Sequence, residues 1–521
     1  MTASTRPFNR VLVANRGEIA VRIIRACREL GMESVAVYSD ADADAEHVRM
    51  ASRAVRIGPS QPSESYLRID ALIEAARSTG ADAVHPGYGF LSERAAFASA
   101  VEEAGIVFVG PPSTVIDAIG DKLHARRLAR TVGVDAVPGT IDPVPVDRPD
   151  QVAEVIDAAQ EIGYPLLVKA AAGGGGRGMR RVTAPADLPA ALAAGSAEAK
   201  AAFGDGAVYL EREIRPARHV EVQLLGDNAG HVVAIGERDC SLQRRHQKLV
   251  EEAPAPGLSS TDRRTLHELA VRIASAAGLR NAATAEFLRS PDGRFLFLEV
   301  NTRLQVEHGV TEFVSGIDIV REQFWLAAGY PIADAVQAAA DRAADPTSHA
   351  IEVRLAAEDP SRDFAPGPGR ITHWIMPAGP GVRVDTAIRS GDLVPPEYDN
   401  LVSKIMVHAA DRPAAIDRLR RALDETEIAG LQTTLPFHRF VARHEGFRAG
   451  ELSIDWVAEH WDGPAERSGS APAAAAAAAT AIATGVVAAS NSRAQEAASQ
   501  DRTAPGWGSV AHSESIDRWP R

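Results

Sequence analysis

Residues 299–308 read Glu299-Val300-Asn301-Thr302-Arg303-Leu304-Gln305-Val306-Glu307-His308. Charged and amide side chains fall on the odd numbers; Val300, Thr302, Leu304 and Val306 fall on the even ones. An extended strand sends alternate side chains to opposite faces. The spacing therefore predicts a strand with Glu299, Asn301, Arg303, Gln305 and Glu307 on one face and an apolar backing behind them. Upstream, Thr284-Ala285-Glu286-Phe287-Leu288 and Phe295-Leu296-Phe297-Leu298 flank Pro291-Asp292-Gly293. Asp-Gly between two β-rich runs predicts a hairpin, which would bring Glu286 beside Glu299 and Asn301. Three oxygen ligands next to an arginine suit Mg2+ holding phosphate oxygens. A salt-bridged, solvated strand face is the structural alternative.

The rest of the composition bounds the class. A chain of 521 residues, 45 % hydrophobic and 24 % charged, has the make-up of a soluble globular enzyme of about three domains. A net charge of −13 argues against a general nucleic-acid binder, which needs a positive field. Cys27 and Cys240 are the two cysteines; they exclude a disulfide framework and fit a reducing cytoplasm. The first residues lack the apolar core of a signal peptide. The alanine-rich stretch 473–489, interrupted by Gly485, reads as a linker or frayed helix and not as a membrane span.

An apolar run at 10–14 leads through Asn15-Arg16-Gly17-Glu18 into a helical pattern from Ile19 to Leu30, closed by Gly31. Strands are expected at 34–38, 81–85 and 106–110, which predicts an α/β arrangement wound on a parallel sheet. The turn holds one glycine, Gly17, so the GxGxxG dinucleotide motif is missing and NAD binding is disfavoured. A second module contains Lys169-Ala170-Ala171-Ala172 followed by four glycines, 173–176. Here the lysine precedes the glycines, the reverse of a Walker A loop. Four glycines in succession allow backbone N–H groups to approach phosphate oxygens closely, the alternative being a flexible surface loop. A third, mixed α+β region begins at about 345. From about 463 to 506, Ala, Ser, Thr and Gly dominate, as in a low-complexity, disordered tail.

Three further segments carry candidate chemistry. A strand through Glu211 would offer backbone groups to an adenine edge. His219 would touch a phosphate or ribose, although a lone histidine is more often structural. Arg244, Arg245, His246 and Lys248 would face a polyanion, or else form a solvated basic loop.

Taken together, these segments resemble the biotin carboxylases of the ATP-grasp superfamily over about residues 8–460. The motifs that carry the resemblance are Asn15-Arg16-Gly17-Glu18-Ile19-Ala20, His85-Pro86-Gly87-Tyr88-Gly89-Phe90-Leu91-Ser92-Glu93, Gly120-Asp121-Lys122, Lys169 with its glycine loop, Glu237-Arg238-Asp239-Cys240-Ser241, Arg244-Arg245-His246-Gln247-Lys248 and residues 299–308. The resemblance implies an N-terminal Rossmann-like (pre-ATP-grasp) domain at 1–122, an ATP-grasp domain at 123–325 with a mobile lid at about 133–208, and a C-terminal α+β domain at 345–460. It implies ATP contacts from Lys122, Lys169, Gly175, Gly176, Met179, Glu211, Arg212, Glu213, Ile214, His219, Gln243, His246, Glu286 and Glu299. Glu286, Glu299 and Asn301 would hold two Mg2+ (or Mn2+) ions. Lys248, Arg303, Gln305, Val306 and Glu307 would bind bicarbonate, with Glu307 as general base, and Arg354 would stabilise the biotin enolate.

Such an enzyme makes carboxyphosphate from ATP and bicarbonate and carboxylates biotin on a carrier. No Met-Lys-Met signature occurs and the tail has no lysine, so biotin is expected on a separate carrier protein (a biotin carboxyl carrier protein), with a separate carboxyltransferase subunit. A homodimer or larger complex is expected, in the cytoplasm, acting in an acyl-CoA carboxylase, with acetyl-CoA as the leading acceptor. The alternatives are another ATP-grasp carboxylate–amine ligase, a component of a pyruvate, propionyl-CoA or methylcrotonyl-CoA carboxylase, and a regulatory protein that binds nucleotide without turnover. The resemblance departs at Gly309, where the family commonly has proline, which is expected to loosen the loop, and at Arg212, where many members have lysine.

Overall fold

The computed structural model describes residues 6–146, 152–171 and 179–469. Strand β1 (Arg10–Val13) is apolar on both faces, with Val11, Leu12 and Val13 fully buried, the signature of a parallel strand covered by helices on each side. With β2 (Glu33–Ser39), β3 (Arg53–Gly58), β4 (Ala83–His85) and β5 (Val107–Phe108) it forms a parallel sheet in the order β3-β2-β1-β4-β5. The helix Gly17–Glu29 presses Ile19, Ala20, Ile23, Ile24 and Cys27 into the core. It ends where Gly31 takes φ +69, the left-handed closure that glycine permits. The doubly wound α/β reading of this region therefore holds.

The second half of the frame is a single eight-stranded antiparallel sheet. It comprises β9 (Arg218–Gly226), β10 (Val232–Arg244), β11 (Gln247–Ala253), β12 (Asn281–Arg289), β13 (Phe295–Asn301), β14 (His349–Ala356) and the strands Val382–Thr386 and Leu401–Ala409. The order is β13-β12-β9-β10-β11-β14, then Leu401–Ala409, then Val382–Thr386. The region after 345 thus extends the same ladder, with Val250 opposite Val353 and Arg354 opposite Lys404. A cluster including Leu242, Val250, Val353, Ile405, Leu419 and Phe437 forms its core.

The hairpin of β12 and β13 forms as expected. Gly293 takes φ +86 in the turn, and Glu286 stands directly opposite Glu299. The continuous strand over 299–308 does not form. β13 ends at Asn301, and the helix His308–Ser315 begins seven residues later. β13 lies at the edge of the sheet, with β12 as its one strand neighbour and a single bridge from Ala136 at Phe297 on the other side, so no second strand holds the chain extended beyond Asn301. Residues 302–307 curl over the sheet instead. Gly309 is no loop residue: it lies in the first turn of that helix, and a Cβ there would come within 2.2 Å of the Met406 sulfur. Absence of a side chain at Gly309 gives close packing, not looseness.

A smaller antiparallel sheet, β7-β6-β8, carries Lys169. It consists of β6 (Leu166–Ala170), β7 (Arg180–Val182) and β8 (Val208–Arg212). The helices Val152–Ile162 and Leu188–Phe203 accompany it, and it has its own core of Val155, Ala159, Leu166, Val168, Val182, Leu188 and Leu210. The glycines at 173–176 and the tail from 470 lie outside the described residues. Among the described residues no helix is long and apolar enough to cross a membrane.

Candidate active site

β9, β10, β11 and β12 send alternate polar side chains to one face of the large sheet, where water is largely excluded. At its centre the Lys248 Nζ donates to Glu221 Oε2 at 2.5 Å, to Glu286 Oε1 at 3.0 Å and to Glu307 Oε1 at 2.8 Å. Burial of an ammonium is costly unless it is paired. Here burial opposes the charge, but the three carboxylates outweigh it and hold Lys248 well above the ordinary lysine range. Burial likewise works against ionised Glu307, and Lys248, Arg354 and Arg238 drive its carboxyl well below the usual range. Burial pushes Glu221 up, against the pull of Lys248 and with the help of Glu307.

Arg354, on β14, completes this nest. Its Nη2 donates to Glu307 Oε2 at 2.8 Å and its Nε to Glu251 Oε1 at 2.5 Å. Glu251 is pushed up to about 7 by burial, which outweighs Arg354. Arg303 reaches back from the turn after β13: Nη1 donates to Gln305 Oε1 at 2.6 Å, Nη2 to Asn301 Oδ1 at 3.3 Å, and Nε to Glu93 at 2.9 Å. Gln305 Nε2 and Asn301 Nδ2 both donate to Glu286 Oε1, at 3.2 and 2.7 Å. The grouping expected from alternation is therefore real, although a turn and not a pleat produces its second half.

On the nucleotide side, Lys122 opens the helix Lys122–Thr131, which Asp121 caps at the His124 N–H. Its Nζ lies 2.9 Å from Glu299 Oε2; burial opposes the ammonium, and Glu299 keeps it raised. Lys169, on β6, donates to Glu211 Oε1 at 2.6 Å, and Arg126 donates to Glu211 Oε2 at 2.9 Å. The Arg212 and Glu213 N–H groups are engaged by the Pro138 and Pro165 carbonyls, so two of the donors of the 211–214 segment are taken internally. Arg212 itself is exposed and Ile214 is half-buried, while Glu213 pairs with Arg181 and Arg215. Met179 is half-buried just before β7, and Gln243 is buried on β10. Gly175 and Gly176 fall outside the described residues.

His219 is neither free nor a bland core histidine. Its Nε2 lies 3.0 Å from Glu286 Oε2, and although burial opposes the cation, Glu286 raises it above the ordinary range. The basic cluster after β10 divides. Arg245 and His246 take φ +47 and +65 in the hairpin turn. Arg244 and Arg245 pair outward with Asp363, and burial together with Lys169 lowers His246. Lys248 alone points into the carboxylate nest. Alternation along β11, with a tight turn at 245–246, puts Arg244 and Lys248 in opposite environments.

Sequence reading missed Glu221, Arg238, Glu251 and Glu93. Glu221 stands two residues from His219 on β9, which places both on one face; that period was the available signal. Arg238 is fully buried and donates to Glu221 at 2.6 Å and to Gln223, Thr284 and Thr311. Glu286 and Glu299 with Asn301 supply the hard oxygen donors that suit Mg2+. Their carboxylates are taken here by protein cations, with Glu299 turned to Lys122. Among the described residues two sets of donors converge within 4.8 Å, His219 with Glu221 and Glu286, and Glu221 with Cys240 and Glu307; Glu299 belongs to neither.

A parallel-sheet domain, a small antiparallel module bearing Lys169 and a large sheet bearing paired carboxylates define an ATP-grasp ligase. Three family models match in succession: "Biotin carboxylase, N-terminal domain" over 7–116, "Carbamoyl-phosphate synthase L chain, ATP binding domain" over 121–335 and "Biotin carboxylase C-terminal domain" over 352–459. The chain is 47 % identical over 453 residues to a pyruvate carboxylase subunit of Methanothermobacter thermautotrophicus, covering 87 % of this chain and 90 % of the relative. It is 46 % identical over 450 residues to the biotin carboxylase of Haemophilus influenzae, covering 86 % and 98 %. A solved structure of the biotin carboxylase domain dimer of Hydrogenobacter thermophilus 2-oxoglutarate carboxylase, in complex with MgADP, ADP and bicarbonate, superposes with a TM-score of 0.83 at 42 % identity, covering 87 % and 98 %. The chain belongs to the biotin carboxylase family, the ligases that form the biotin carboxylase component of biotin-dependent carboxylases.

Proposed function

We propose that this chain carboxylates biotin, using ATP and bicarbonate, while the biotin is carried on a separate carrier protein. The observation that carries the reading is the buried nest in which Lys248 joins Glu221, Glu286 and Glu307 while Arg354 reaches Glu307. Such a nest, lined by fixed cations and a carboxylate base, suits a small anion that must lose a proton. Bicarbonate would sit among Lys248, Arg303, Gln305 and the Val306 backbone. Glu307 would take its proton as the bicarbonate oxygen attacks the γ-phosphorus and the bond to ADP breaks. Lys248 and Arg303 would offset charge on the transferring phosphoryl group.

Lys122, Lys169, His219, Gln243, His246, Met179, the 175–176 backbone and the segment 211–214 would hold ATP. Glu286, Glu299 and Asn301 would hold two Mg2+ or Mn2+ ions, which neutralise phosphate charge when bound. Carboxyphosphate then yields CO2 and phosphate; the phosphate takes the N1′ proton of biotin, and N1′ attacks CO2. Arg354 cannot lose its proton and would stabilise the enolate oxygen. The module about 133–208 would close over ATP and protect carboxyphosphate from water.

Domain limits of 1–122, 123–325 and 345–460 and a cytoplasmic setting, consistent with two buried free cysteines, belong to the same reading. A carboxyltransferase subunit would complete the complex, with the chain itself dimeric. Acetyl-CoA is the acceptor we favour; the pyruvate carboxylase name of one relative supports pyruvate as the second reading. The test is bicarbonate-dependent ADP release with free biotin, followed by assembly with carrier and carboxyltransferase and comparison of acetyl-CoA with pyruvate. ADP release independent of bicarbonate and biotin would reject the reading.

A further inference from the structure

Lys404 lies in the middle of the strand Leu401–Ala409 and is fully buried. Its Nζ donates to the Val306 carbonyl at 2.6 Å. Glu18 Oε1 lies 3.5 Å from the same nitrogen and Asp385 Oδ2 lies 3.9 Å away, with the Tyr88 ring centroid at 5.9 Å. Four segments remote in sequence therefore meet at one ammonium: the turn 15–18, the strand Val382–Thr386, the turn 302–307 and Lys404's own strand.

The Val306 carbonyl belongs to the peptide that joins Val306 to Glu307. Holding it fixes the plane of that peptide, and so fixes the direction in which Glu307 leaves the backbone. Glu307 is the residue before the helix His308–Ser315, at φ −82 and ψ 14, and its carboxylate meets both Lys248 and Arg354. A neutral donor would suffice for one hydrogen bond to a carbonyl. A buried ammonium carries a desolvation cost of several kcal/mol unless it is compensated, and two carboxylates from different strands and helices are arranged to compensate it. Both Glu18 oxygens are buried without a hydrogen-bond partner; burial pushes the carboxyl up to about 7, and Lys404 is the foremost cation that draws it back, ahead of Arg383 and against Asp385. Burial opposes the Lys404 charge, and Glu18, Glu352 and Asp385 restore it.

We propose that Lys404, held by Glu18, is a positioning residue of the bicarbonate site: it sets the peptide between Val306 and Glu307 and thereby aims the Glu307 carboxylate at Lys248 and Arg354. This rests on the assignment of bicarbonate to that turn. It also gives the Asn15-Arg16-Gly17-Glu18 motif a task that nucleotide binding does not explain. Asn15 Nδ2 ties the turn to the Pro86 and Tyr88 carbonyls at 2.7 and 2.8 Å, and Arg16 lies 4.1 Å over the Tyr398 ring, so Glu18 is itself firmly placed.

The test compares Lys404→Met and Glu18→Gln with the wild-type chain in the bicarbonate-dependent ADP-release assay with free biotin. Thermal melting and ATP affinity are measured alongside. A displaced Glu307 raises the bicarbonate KM by about tenfold or more in Lys404→Met, with the ATP Kd within about twofold of wild type. Glu18→Gln shifts the bicarbonate KM in the same direction by a smaller factor, and the double variant falls short of the product of the two effects. A purely structural role lowers the melting temperature without separating bicarbonate from ATP. A folded Lys404→Met variant with an unchanged bicarbonate KM overturns the proposal. If Lys404→Met does not fold, an unchanged bicarbonate KM in Glu18→Gln does so. A wild-type chain without bicarbonate-dependent turnover sinks the biotin carboxylase reading and this inference with it, whereas an active wild type with insensitive variants sinks the inference alone.

Discussion

Glu286 and Glu299 face each other across the β12–β13 ladder, yet their carboxylates meet different cations. Glu286 receives Lys248 and sits 3.0 Å from His219, whereas Glu299 meets Lys122 at 2.9 Å. One pair of strands thus supplies an acid to the nest around Lys248 and an acid to Lys122.

Glu299→Gln keeps the shape but removes the charge that Lys122 faces. Folding should be nearly unaffected, because the side chain is part-exposed. Mg-ATP turnover should fall by about a hundredfold or more, the scale for losing a charge-stabilising group on a transferring phosphoryl. Wild-type-like bicarbonate-dependent ADP release from the variant would remove Glu299 from the metal assignment.

Glu307 and Arg354 should separate the two half-reactions. Glu307→Ala loses both ADP release and biotin carboxylation, since the base for bicarbonate is gone. Arg354→Ala should lose carboxyl transfer to biotin more than ATP cleavage. Equal losses in the Arg354 variant, measured as ADP and carboxybiotin in the same reaction, would place Arg354 on bicarbonate instead.

Acid should unfold the protein in a narrow window. Burial opposes ionisation of Glu252 and Glu312, but His349 and Arg412 hold Glu252 at about 2, and Arg22 with other cations holds Glu312 at about 2. A depressed carboxylate stabilises the fold above its unfolded pKa, so their contribution is present above about 4.5 and is lost as pH falls towards 2. Each is on the order of 3 kcal/mol. Burial drops His85 and His308 to about 3; their stabilisation declines as pH falls from 6.5. Burial also pushes Glu18 and Glu251 up to about 7, and these gain stability as pH falls from 7 to 4.5. Burial also lowers His47 and His438 to about 4, which adds to the histidine effect, and raises Glu221 and Glu352, which adds to the carboxyl effect; the two sets oppose each other, so urea unfolding should be nearly flat from pH 6.5 to 4.5 and fall steeply below. Glu252→Gln should reduce the steep slope by about one proton.

Gly309→Ala should destabilise by about 1 kcal/mol, because the new methyl must displace the Met406 sulfur. Met406→Ala is destabilising in its own right, and the double variant should lose less than the sum of the two single losses. Additive melting shifts in the double variant would show that the two positions do not press on each other.

Much of the fold was legible because its signals are local. Residues 10–14, the helix after them and Gly31 announce a parallel strand and its crossover, and Pro291-Asp292-Gly293 announces the hairpin that pairs Glu286 with Glu299. The polar set at 299–307 was legible for a reason that proved half right. Alternation describes β13 only to Asn301; beyond it, Arg303, Gln305 and Glu307 reach the site by a turn whose Val306 carbonyl accepts from Lys404, about a hundred residues downstream, and no local pattern encodes that contact. Glu221, in His219-Val220-Glu221-Val222-Gln223, and Glu251, beside Glu252, were given no role because nothing local separates a strand carboxylate that meets a buried cation from one that meets water. Arg244 and Lys248 look equivalent in sequence, and only strand pairing shows that they face apart.

The large sheet has a mechanical consequence. Glu286 on β12 and Arg354 on β14 are joined through β9, β10 and β11 by backbone pairing that is irregular only where β10 shifts register at 234–237 and 239–243. Sliding one against the other would shear whole rows of peptide bonds out of register. The spacing between Glu286 and Arg354, beside which bicarbonate and biotin are proposed to sit, is therefore built in as by a ruler. Adjustment to a bulky carrier has to come from how the carrier seats itself, or from the separately cored β6–β8 unit, and not from stretching the catalytic spacing.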